Sequence, residues 1–75
     1  MKKLVEYHIS RLKDKNPAIR LVAIQELELL ADMESLEVLQ DVFNNDPDEE
    51  VRRVAQQAGR TIFLKHRANT ESESS

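Results

Sequence analysis

The chain has 75 residues, 40% apolar and 33% charged, with a formal net charge of -3, which leaves room for one small helical domain and excludes a second. Cysteine is absent, and the only histidines, His8 and His66, lie at opposite ends. Disulfides and thiolate ligands are therefore excluded, and no metal or cofactor is expected. The acidic balance gives no long-range attraction to phosphate backbones or anionic lipids, so nucleic acid is disfavoured as a partner.

The longest uninterrupted apolar run, Leu21 to Ile24, falls far short of the roughly 20 residues a membrane-spanning helix needs. Lys2 and Lys3 are followed by Glu6 and His8, which interrupt the apolar stretch of a secretory signal. The expectation is a cytoplasmic chain without a membrane span. Below about 80 residues a single core rarely supplies more than roughly 3 to 5 kcal/mol. With disulfides and metals set aside, the expected supplement is another protein or a second copy of this one.

In chain order, Leu4, Val5, His8, Ile9 and Leu12 form one helical stripe, predicting a helix over 2–14 with Lys13 and Lys15 near its carboxyl end. Asn16 caps the next helix and Pro17 takes its first position, where the missing amide hydrogen is no loss. That helix reads to about Ala31, with a core stripe of Ile19, Val22, Ala23, Leu27 and Leu30. Asp32 is the expected cap of a third helix, which carries a row of Leu36, Leu39 and Phe43 flanked by Val38 and Val42 and stops around Asn44 and Asn45.

Asp46, Pro47 and a glutamate at position 49 read as a capping box, and Asp48, Glu49 and Glu50 suit a helix amino end. The fourth helix carries Val51, Val54, Ala55, Ala58, Ile62 and Phe63 and ends in Lys65, His66 and Arg67. Residues 68–75 contain no apolar side chain beyond Ala68 and are expected to be a disordered tail, leaving 1–67 for the folded helices. No segment alternates with period two, so the fold class is all-α, and the short loops set consecutive helices antiparallel.

The chain repeats itself. Aligning Ile19 with Val51 gives an offset of 51 minus 19, or 32, which sets Arg20 on Arg52, Val22 on Val54, Ala23 on Ala55 and Leu30 on Ile62, with Leu27 facing Gly59. Leu12-Lys13-Asp14 followed by Pro17, Ile19, Arg20 and Ala23, and then Asp46, Pro47, Val51, Arg52 and Ala55, resembles the HEAT-repeat family. The likeness is to its short bacterial members, also found in phycobilisome lyase-related proteins. It implies an α-α superhelix, a short solenoid of two helix pairs, serving as a non-enzymatic scaffold or adaptor. An accessory subunit related to bilin lyases is the alternative it implies.

Arg20 and Arg52 recur at equivalent positions and are expected to hold the turn carboxylates Asp14 and Asp46, or those of the neighbouring unit, as structural ion pairs. Leu21, Ile24 and Leu29 have polar equivalents in Arg53, Gln56 and Thr61, so the second helix is apolar nearly all round. Leu21 and Ile24, with Arg53, Gln56 and Arg60 on one ridge of the fourth helix, are the expected partner-binding surface. Helix one folded over that face is the structural alternative. A nucleic-acid role would need Arg53, Arg60, Lys65 and Arg67 to form a basic strip.

His8 is expected partly buried and neutral, and His66 a solvated helix end. Tyr7 could donate a hydrogen bond at an interface. His8 and Ser10 are two residues apart, which turns their side chains to different sides of a helix, so they make no nucleophile and base. There is no glycine-rich phosphate loop and no helical His-Glu-x-x-His. No catalytic residue is expected.

Overall fold

The described residues fold into helices joined by short turns, in the order α1 Lys2–Arg11, α2 Pro17–Leu30, α3 Ser35–Asn45 and α4 Glu49–Ser74. This computed structural model describes the backbone of residues 2–74 and the side chains of 2–68. Among the described residues there is no strand, and no helix is long and apolar enough to cross a membrane. α1 packs on α2 and α3 on α4, and the two pairs stack chiefly through α2 against α4.

Two equivalent turns set the pairs in register. After α1 the backbone tightens, with Leu12 N–H donating to Ile9 O at 3.1 Å and Asp14 N–H to Arg11 O at 3.1 Å. Asp14 Oδ1 then accepts from Asn16 N–H at 2.8 Å, and Asn16 Oδ1 accepts from Ala18 N–H at 2.9 Å, capping α2 with Pro17 inside its first turn. The second turn repeats this 32 residues on: Asp46 Oδ1 accepts from Asp48 N–H at 2.9 Å, and Asp48 Oδ1 from Val51 N–H at 3.1 Å. Asp48, not Asp46, is therefore the cap of α4, which corrects the capping box read from the sequence. The prolines mislead there because Pro17 lies inside α2 whereas Pro47 precedes the α4 cap.

The turn between α2 and α3 is longer than expected, spanning residues 31–34. Ala31 takes a left-handed conformation, φ 52°, with its N–H donating to Leu27 O at 3.0 Å. Asp32 Oδ1 accepts from Glu34 N–H at 2.8 Å, so its carboxylate closes a turn instead of capping a helix, and α3 begins at Ser35. α4 includes residues 68–74, which the composition suggested would be disordered. Extending a formed helix adds one backbone hydrogen bond per residue and needs no buried side chain; the side chains there lie outside the described residues.

One core joins both pairs: Val5, Leu12, Ala23, Ile24, Leu27, Leu39, Val51, Ala55, Ala58 and Ile62. Nine of the positions read as apolar stripe lie on its margin or outside it. Ile9, Ile19, Leu30, Leu36, Phe43 and Val54 are half-buried, while Leu4, Val22 and Phe63 are exposed. His8 is buried as expected. His66 is not a solvated end: it is half-buried, with Nε2 2.8 Å from the carbonyl of Ala31, fastening α4 across the end of α2.

Candidate interaction surface

Two features stand out, a polar node between the turns and an apolar groove on the far side of α3 and α4. At the node, Arg20 is buried and Nη1 donates to Asp14 O at 2.7 Å and to Lys15 O at 3.1 Å. Its other edge meets the second turn, with Nε 2.8 Å from Asp46 Oδ2 and Nη2 donating to Asp46 Oδ1 at 3.1 Å. The Nε contact is a charge contact off the hydrogen-bond axis. Of the alternatives read from the sequence, Arg20 thus takes the neighbouring unit's carboxylate while binding only backbone in its own turn.

Arg52 repeats half of this arrangement. Its Nη1 donates to Asp46 O at 2.6 Å, the carbonyl six residues back, as Arg20 does to Asp14 O. No carboxylate among the described residues lies against its remaining edge. Asp14 is the mirror case, with Oδ1 engaged by Asn16 and no cation on its carboxylate among the described residues. The expected pairs Arg20 with Asp14 and Arg52 with Asp46 are therefore backbone contacts, and the ion pair runs from Arg20 to Asp46.

The groove holds about 350 Å³ and is lined by Leu36, Gln40, Phe43, Gln56, Gly59, Arg60 and Phe63 over a floor of Leu39 and Ala55. Phe63 is 51% exposed, and Leu36 and Phe43 are half-buried. An added Cβ on Gly59 would meet only Leu36 Cδ2 at 4.0 Å, so this face is open at the glycine.

The sequence-derived surface divides on either side of α4. Ile24 is fully buried in the core and cannot touch a partner, and Leu21 is half-buried against the same core. Both α1 and α4 pack on α2, so the chain's own helices enclose this face. Arg53, Gln56 and Arg60 are exposed; Gln56 and Arg60 line the groove, while Arg53 pairs with Glu50 away from it. Leu36, Phe43 and Phe63 are the groove residues that sequence reasoning assigned to the core. Their helical spacing is identical to that of buried residues, and the one signal of an uncovered face is Gln56 standing where α2 has Ile24.

No group of histidine, cysteine, aspartate or glutamate side chains among the described residues is placed to hold a metal ion. Tyr7 is exposed, with the Arg11 guanidinium 5.6 Å from its ring centroid. In comparisons with known proteins, the family model described as HEAT repeats matches residues 1–59. No curated protein and no solved structure matches the chain.

Proposed function

The chain belongs to the HEAT-repeat family, and from that premise we propose that it is a non-enzymatic protein-interaction module that docks a partner in the groove between α3 and α4. HEAT repeats generally mediate protein–protein contacts. The observation that carries the reading here is the groove itself: Leu36, Phe43 and Phe63 converge on one face, rimmed by Gln40, Gln56 and Arg60, and no described residue of the chain covers them. Apolar surface of this kind contributes about 25 cal/mol per Å² when removed from water, and the polar rim supplies orientation.

The same reading puts the module in the cytoplasm and makes its partner a protein instead of nucleic acid. The phycobilisome-lyase-like alternative rests on the sequence resemblance alone, since the family match reaches HEAT repeats in general. To test the groove, a photo-crosslinking residue is placed at Gln56 in the native cell, with Gln57, exposed and outside the groove, as the control site. A discrete adduct from position 56, lost on Phe63→Glu and missing from position 57, is the expected result. No adduct at 56 in a folded protein, or the same adduct from both sites, removes the proposal.

A further inference from the structure

The groove and the half-occupied Arg52 lie on the same unit, and together they name an occupant. We propose that the groove receives the α1–α2 face of a second copy of this chain, stacked head to tail so that Arg52 of one copy holds the Asp14 carboxylate of the next. This rests on the interaction reading above and specifies its partner.

The pattern for the junction is already built inside the chain. Internally, Arg20 binds its own turn carbonyl through Nη1 and reaches the next unit's Asp46 through Nε and Nη2. Arg52 makes the same Nη1 bond to the carbonyl six residues back, which leaves the corresponding edge directed to where a following unit would lie. The aspartate that Arg20 meets is held by an Asx turn to Asp48 N–H, and Asp14 is held by the same turn to Asn16 N–H. Asp14 and Asp46 are separated by 46 minus 14, or 32 residues, as are Arg20 and Arg52. Donor edge and acceptor carboxylate therefore belong to different units of one molecule, one in each of the two adjoining turns, in a register the Arg20–Asp46 contact has shown to be compatible.

The apolar surfaces follow the same rule. Ile24 and Leu27 are buried in the shared core, whereas their equivalents Gln56 and Gly59 lie in the groove, so one register is closed in the first unit and open in the second. Val54 packs against the core, whereas its equivalent Val22 is 44% exposed, with Tyr7 exposed on α1. The face that would enter the groove thus carries Val22 and Tyr7, and the groove offers Phe43 and Phe63. Replacement of Ile24 and Leu27 by Gln56 and Gly59 removes apolar area from this junction, so it is weaker than the internal one and leans more on the Arg52–Asp14 charge contact.

A head-to-tail contact uses two different patches and does not close on itself at two copies. Sedimentation of the whole chain from micromolar to millimolar should show a mass that keeps rising past the dimer and falls back with added salt. Arg52→Glu and Asp14→Lys should each weaken association by more than about tenfold through like-charge contact. An equimolar mixture of the two should restore it, because each variant then offers its changed end to a complementary one. Circular dichroism of each variant confirms the fold, and recovery in the mixture cannot come from misfolded chains.

A monomer at every concentration overturns the proposal, as does a dimer that never grows or a mixture no stickier than its components. If the chain stays monomeric while the crosslinker at Gln56 captures a different protein, self-stacking is wrong and the interaction reading stands. If no adduct forms at all, both fall.

Discussion

The two helix pairs carry the same register and meet different surroundings. Ile24 and Gln56 occupy one position 32 residues apart, yet the first is fully buried and the second exposed. Val22 and Val54 are the same residue at the same position, but Val54 packs on the core and Val22 stands in solvent. Arg20 spans two units, while Arg52 is anchored to one. In a stacked fold each unit buries one face on each neighbour, so burial depends on place in the stack as well as on register.

The sharpest break of this comparison is a charge at the shared position. Ile24→Glu would bury a carboxylate without a partner, costing more than the roughly 3 to 5 kcal/mol a core of this size supplies, so the helical signal in circular dichroism should collapse. Gln56→Glu, in dilute solution, should shift stability by no more than about 0.5 kcal/mol. Equal effects would mean that the faces are equivalent after all.

The arginines give the next contrast. Arg20→Ala leaves Asp46 buried without its cation and two turn carbonyls without a donor, a loss of about 3 kcal/mol in urea unfolding. Arg52→Ala removes one hydrogen bond to a carbonyl, about 1 kcal/mol. A larger loss at Arg52 would place its outer edge in a contact within the chain and weaken the stacking proposal.

The valines give the smallest. Val54→Ala should cost about 1 kcal/mol, and Val22→Ala no more than about 0.5 kcal/mol, read from thermal midpoints in dilute solution. If Val22→Ala destabilises as much at low concentration, its face is covered by this chain and is not available to a second copy.

Much of this was legible in the residues. The stripes in α1 to α4 recur at helical spacing, Asn16 and Pro17 mark the start of α2, and the offset of 32 identifies equivalent positions at which the Asp14 and Asp46 turns share an Asx bond and an arginine–carbonyl bond. The cap of α4 was misplaced by two residues because Asp46-Pro47 imitates Asn16-Pro17 in letters and differs in register. The candidate surface was misjudged for a different reason. The contrast between apolar Leu21 and Ile24 and polar Arg53 and Gln56 is real, and it records that Ile24 is enclosed in the core while Gln56 lines an open groove. Apolar character at Ile24 is thus the mark of burial within the chain, not of a free surface.

By itself the sequence determined the helices and their phase, since both follow from interactions within a few residues: side-chain periodicity, caps, and prolines where an amide hydrogen is dispensable. Only the tertiary structure decided which of two equivalent faces is covered, that Arg20 crosses to Asp46, that His66 fastens α4 to the end of α2, and that Phe43 and Phe63 line a groove. Those outcomes depend on what lies a whole helix pair away, and a local pattern repeated twice reads the same whether or not a neighbour is stacked upon it.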